Sequence, residues 1–140
     1  MLPRATQYAI RAMVFLAAQP PGQLRGAQEI SIAEHIPKPF LWKVLYKLQS
    51  KSLLRSFRGI GGGYELARPA RSIYLNQVLS ATGASPILHG CVLGFSECPQ
   101  RKLCPVQPAC AQLRKDVRKL FRQCTIADFA ALPRNSGSRH

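Results

Sequence analysis

Apolar residues recur along much of this chain at the spacing of helices, and the stretches where that spacing fails are equally informative. Ile10, Met13, Val14 and Ala17 stand at i, i+3, i+4 and i+7 and predict a helix over about 4–19, closed by Pro20-Pro21-Gly22. A short helix is expected over about 27–34, with Ile30 and Ala33 facing inward. His35-Ile36-Pro37 then reads as a tight turn, and residues 39–50 as a second helix with Leu41, Val44, Leu45 and Leu48 on one side. Two short helices joined by such a turn describe a helix-turn-helix. The period changes at Leu53. Residues 53–58 read as a strand, Gly59-Ile60-Gly61-Gly62-Gly63 as a turn and Tyr64-Glu65-Leu66 as the returning strand. A hairpin directly after the second helix of such a pair is a wing.

Residues 73–82 predict another short helix, with Leu75, Val78 and Leu79 apolar. From 83 to 106 there is no period, and so long a structureless segment inside a small domain is usually functional. The last helix, about 109–124, gathers Cys110, Leu113, Val117, Leu120, Phe121 and Cys124 on one side and Arg114, Lys115, Arg118, Lys119 and Arg122 on the rest. That narrow seam suits an identical helix across a two-fold axis. The expected fold is mainly α with a small β-wing. A winged helix-turn-helix spans 1–82, a cysteine-bearing loop 83–106, a long dimerisation helix with its end 107–132, and a polar, disordered tail 133–140.

Charge sharpens this picture. Twenty Lys and Arg stand against six Asp and Glu, a net charge of +14, which favours a polyanionic partner. The face of the 39–50 helix opposite its apolar stripe carries Lys43, Tyr46, Lys47 and Ser50, residue types that touch bases and phosphates when a helix lies in a groove. On the wing, Arg58 and the glycine-rich tip would lie along a minor groove or backbone. Phe40 and Trp42 are assigned to packing instead. The glycines are not a nucleotide loop, because no Gly-Lys-Ser/Thr follows them. No run of about eighteen apolar residues exists, so no membrane span is expected. Arg11 interrupts the one apolar stretch near the N-terminus, so the layout of a signal peptide is missing and a cytoplasmic, reducing setting is expected. Catalysis is not expected: carboxylates are few and unpaired, and no Ser/His/Asp pattern is present.

In a reducing setting the five cysteines should be thiols or metal ligands. Cys91, Cys98 and Cys104 sit in the aperiodic segment with six and five residues between them. Iron–sulfur clusters usually take four thiolates, with histidine or other substitutes known. Zinc favours closer pairs. A thiol switch near Arg101 and Lys102, and three inert loop cysteines, are the other readings. Cys110 would complete a four-cysteine set, but its place on the helical seam argues for a packing role, as it does for Cys124. His89 is a loop histidine two residues before Cys91, His35 belongs to the turn between the two short helices, and His140 to the tail.

Several segments together resemble the IscR/NsrR-type family of bacterial winged-helix transcription regulators. They are R-A-T-Q-Y-A-I-R-A-M, I-A-E-H-I-P-K-P-F-L-W-K-V-L-Y-K-L, the wing R-G-I-G-G-G-Y-E-L and the late T-I-A-D-F, and the likeness covers about residues 3–129. It implies a homodimer with a long dimerisation helix. Members with three cysteines before that helix hold an iron–sulfur cluster and sense iron supply, cluster status, oxidants or nitric oxide. By this resemblance Cys91, Cys98 and Cys104 carry over as ligands of a 2Fe–2S or 4Fe–4S cluster. The chain departs from the pattern at Gln107, where some members place a histidine, at Gln7, where some place a carboxylate, and in a first cysteine gap one residue longer than in several members. The fourth ligand is left open among Gln7, His89, Gln107, Cys110 and an external group. The function expected is a sequence-specific regulator, a repressor by preference, whose DNA binding answers to the cluster. The alternative is a zinc- or thiol-dependent basic DNA-binding module. The partner expected is a palindromic double-stranded site, contacted by Lys38, Lys43, Tyr46, Lys47, Lys51, Arg58 and Gly61.

Overall fold

The computed structural model describes residues 2–84, 91, 93 and 104–133. Cys98, His89 and the tail from 134 onward lie outside the described residues, as does most of the aperiodic segment. The elements run α1 (Arg4–Ala17), α2 (Ala27–Glu34), α3 (Lys38–Ser50), β1 (Leu54–Phe57), β2 (Gly63–Leu66), a 3-10 turn (Ala70–Ser72), α4 (Leu75–Ala81), α5 (Gln107–Gln123) and α6 (Ile126–Ala130).

Helix α1 is the central post. It touches α2, α3, β2, α4 and α6, which explains why its buried face is wider than its sequence period suggested. Tyr8, Ala9, Ala12, Met13, Val14 and Leu16 are buried, while Ile10 and Ala17 are only half-buried. The small residues Ala9 and Ala12 let neighbours approach closely. From α3 come the expected Leu41, Val44, Leu45 and Leu48, all buried, and from α4 Leu75, Val78 and Leu79. Apolar area removed from water at these positions is the main stabilising term, at about 1.5–3 kcal/mol for each large side chain.

The turn between α2 and α3 is built by hydrogen bonds. His35 takes the left-handed conformation (φ 54°, ψ 47°), and the Ile36 N–H and Ser31 Oγ–H exchange bonds with the Ser31 and Ile36 carbonyls at 3.1 and 2.6 Å. Ile36 is buried, pinning the turn to the core. Pro37 and Pro39 bracket the first helical residue of α3, where prolines lose no intrahelical bond. In α2 the expectation for Ala33 fails. Ala33 is exposed, and Glu34 turns inward to meet Arg11 of α1.

The wing is an antiparallel pair with Leu54 opposite Leu66 and Phe57 opposite Gly63. A third backbone segment joins it: Arg25 and Tyr64 exchange N–H···O bonds of 3.1 and 2.8 Å. Helix α4 begins later than expected because Tyr74 bridges Thr125, with bonds from Leu75 N–H to the Cys124 carbonyl (3.0 Å) and from Ile126 N–H to the Ile73 carbonyl (2.9 Å). Helix α5 begins two residues before the expected start, with Pro108 in its first turn. After α5 the chain returns to the body. Helix α6, which the apolar period did not reveal, packs on α1 and the 3-10 turn.

Candidate nucleic-acid interface

Burial of Leu41, Val44, Leu45 and Leu48 dictates what α3 presents to solvent. Pro39, Lys43, Tyr46 and Ser50 lie opposite that stripe, flanked by Trp42 on one side and Lys47 on the other. Tyr46 is 73% exposed. Phe40 and Trp42, assigned to packing from their spacing, are also exposed; Phe40 only leans on Tyr8, with ring centroids 6.4 Å apart. Helix α3 therefore shows solvent a face of lysines and aromatic rings together.

Lys38 and Lys51 bracket α3 at its first residue and its C-cap, and both are exposed. The chain then reverses tightly. Ser52 adopts φ 60°, and Leu53 N–H bonds to the Leu48 carbonyl at 3.0 Å. Leu53 and Leu54 are buried, so the wing is fastened to the end of α3. Arg58 and Gly61, both exposed, lie in the connection between the strands. Each of the seven residues expected to meet DNA is thus on the surface, in α3 or in the wing that follows it.

The wing itself tolerates no bulk at its hinge. A Cβ on Gly62 would sit 2.2 Å from the Phe57 carbonyl oxygen, and one on Gly63 would sit 2.7 Å from the Arg25 carbonyl carbon. The second contact explains the third segment: Arg25 passes so close to the hairpin that only glycine fits there. The Arg25 guanidinium then bonds to Gln19 (2.8 Å), Gln23 (2.8 Å) and Glu29 (3.3 Å), tying the wing to α1 and α2. Nothing in the local period around Arg25 signals this role. Across the strands Arg55 pairs with Glu65 at 2.6 Å.

Electrostatics favours the same face. Among the described residues, carboxylates pair with Arg11, Arg25 and Arg55, and no ion pair joins Lys38, Lys43, Lys47, Lys51 or Arg58. Asp116 accepts a bond from Gln112, and Asp128 caps α6, so neither offsets the α3 lysines.

The cysteine residues form a second region. Cys91 and Cys104 are half-buried, and Cys104 lies just before α5, its carbonyl accepting the Gln107 N–H at 3.2 Å. Cys110, in the first turns of α5, and Cys124, at its C-cap, are half-buried rather than buried. Cys124 packs against the core. Of the seam expected on α5, Phe121 is buried while Leu113 and Leu120 remain exposed in the single chain. Among the described residues no three His, Cys, Asp or Glu side chains gather as a metal site, and Cys98 and His89 lie outside that set. The other open ligand positions are Gln7, whose side-chain amide donates to the Leu2 carbonyl at 2.8 Å, and Gln107, at the start of α5. The entry to the segment is anchored close to Gln7: Thr6 and Thr82 share a 2.7 Å hydroxyl bond that joins the first turn of α1 to the end of α4.

Comparison with known proteins bears on the family and the fold. Residues 2–132 match the family described as "Rrf2: Iron-dependent Transcriptional regulator". The chain is 35% identical over 130 residues to protein Rv1287 of Mycobacterium tuberculosis, covering 91% of this chain and 80% of that one. It is 31% identical over 129 residues to the HTH-type transcriptional regulator NsrR of Bacillus subtilis, covering 91% and 80%. The solved structure of CymR, the global cysteine regulator of B. subtilis, superposes with a TM-score of 0.76 at 21% identity, over 94% of this chain and 96% of that one. This likeness establishes a shared winged-helix fold.

Proposed function

The chain belongs to the Rrf2 family of DNA-binding transcriptional regulators, not enzymes, and from that premise we propose that it is a homodimeric repressor controlled by an iron–sulfur cluster. The observation that carries the DNA placement is the α3 face, where Lys43, Tyr46 and Lys47 are exposed without a carboxylate partner among the described residues. Helix α3 enters the major groove. Lys38 and Lys51 at its two ends meet phosphates, and Arg58 and the backbone at Gly61 meet the neighbouring groove. The exposed Leu113 and Leu120 on α5 are covered by the same helix of a second copy, which sets two reading heads against a palindromic site.

Cys91, Cys98 and Cys104 would hold the cluster. The donor set suits it: three soft thiolates from one loop fit an iron–sulfur centre and leave one position for a different ligand. Bound there, a cluster would supply a redox- and nitric-oxide-sensitive group next to the start of α5. Only a difference in cluster affinity between two DNA-binding states can make this a switch.

Purification without oxygen, followed by visible absorption and assays of iron, sulfide and zinc, tests the reading. Matched iron and sulfide with visible absorption are expected, and Cys98→Ala is expected to be colourless while remaining folded. A colourless chain carrying zinc, or no metal even after reconstitution, would replace the cluster with a zinc- or thiol-dependent mechanism and leave the α3 placement intact.

A further inference from the structure

At the tip of the wing stands a residue whose chemistry the phosphate backbone does not explain. Ile60 has a relative exposure of 110%, the highest of the exposed large apolar side chains among the described residues. Turns favour Gly, Asn, Asp, Ser and Pro, and a β-branched apolar side chain there gains nothing from water. The tip is a hydrogen-bonded turn. Gly62 N–H bonds to the Gly59 carbonyl at 3.0 Å, and Gly59 and Gly61 on either side of Ile60 hold φ of 92° and 77°. Below the tip, Phe57 is in register with Gly63, Arg55 pairs with Glu65, and Arg25 clasps Tyr64. The base of the hairpin that carries Ile60 is thereby fastened to α3, through the bond between Leu53 and Leu48.

Two residues before it, Arg58 is exposed and joined to no carboxylate among the described residues. A cation and a projecting aliphatic group on one hairpin match a particular surface. Narrow minor grooves attract arginine by their negative potential, and aliphatic side chains wedge between base steps there. Phosphate contact alone calls for hydrogen-bond donors, which an isoleucine side chain lacks.

We propose that Ile60 is an apolar wedge that enters the minor groove beside the α3 site and partly unstacks one base step, while Arg58 reads the groove's width. This inference rests on the α3 placement proposed above. It makes the wing a determinant of specificity. The wedged step should be a flexible pyrimidine–purine step such as TA or CA, because those cost least to open.

The test uses the full chain. Duplexes are selected from a random pool by the wild-type protein, and the selected duplex carries 2-aminopurine at each candidate step in turn. Wild type is expected to raise the fluorescence at one step under the wing and to bend the DNA in a circular-permutation gel assay. Ile60→Ala is expected to lose both signals, to bind about ten-fold more weakly and to lose the step preference on reselection. Ile60→Leu is expected to keep them. Lys47→Ala in the same binding assay reports on α3 separately. A loss with Lys47→Ala alongside wild-type bending and preference in Ile60→Ala would overturn the wedge alone. Unchanged binding by Lys47→Ala would remove the placement on which the wedge is built.

Discussion

A buried carboxylate is a hazard unless something answers its charge, and Glu34 shows how the fold manages this. Its side chain is 8% exposed and lies 3.5 Å from the Arg11 Nε, while the Arg11 guanidinium also covers the Tyr8 ring at 5.8 Å. Truncating Glu34 to Ala leaves a half-buried guanidinium with a lost partner, an expected destabilisation of about 1–3 kcal/mol. Urea unfolding monitored by circular dichroism should show a lower midpoint with an unchanged slope; an unchanged midpoint would mean that the pair contributes nothing. This residue also marks where sequence reading failed. An amphipathic period assigns alanine inward and glutamate outward, whereas here Arg11 of α1 meets Glu34 on the inner side. Trp42 and Phe40 failed for the opposite reason. Their places on the helix beside the apolar stripe argued for packing, yet that stripe was already filled by four aliphatic residues. The cationic positions were legible because lysines opposite a buried stripe have nowhere to go but solvent.

Among the elements, α6 depends most on its cap. It has five residues, too few to hold a helix by propensity. Thr125 Oγ1 accepts the Asp128 N–H at 3.4 Å, and Asp128 returns the favour by accepting the Thr125 N–H at 2.8 Å. Thr125→Ala should cost about 1 kcal/mol. A thermal melt should record this as a loss of about 3–5 °C in Tm; no change would mean that packing on α1 alone holds α6. Five residues also lie below the length at which a 3.6-residue period can be seen, so α6 was invisible as a helix although the T-x-x-D pattern of its cap was present. Helices α1 and α3 were legible because each spans several turns of consistent spacing. The hairpin was legible through its glycines. Its third member, Arg25, was not: a single-residue bridge from a distant loop leaves no periodic trace.

At the scale of the whole molecule, charge governs behaviour. With a net charge of +14, DNA binding should be strongly salt-dependent. Lys43→Ala or Lys47→Ala should lower the slope of log affinity against log salt by about one, roughly uniformly across sequences, if each meets one phosphate. A weaker affinity with an unchanged slope, seen in titrations at several salt concentrations, would point to a base contact instead. The winged helix-turn-helix and the long last helix followed from period and glycine placement. How the loop's cysteines are arranged did not, because ligand geometry depends on an aperiodic backbone and on chemistry that spacing does not encode.

The backbone bonds that join Cys124 and Ile126 to Leu75 and Ile73 fasten the C-terminal end of α5 to the start of α4. Its other end begins just after Cys104. With seventeen residues rising about 1.5 Å each, α5 measures about 25 Å from Gln107 to that joint. By geometry alone, a displacement of about 4 Å at the Cys104 end of a rod of that length corresponds to a turn of about 10° at the joint. If α5 answers to the proposed cluster, coarse movement at Cys104 would become a fine angular adjustment of the face proposed to meet DNA.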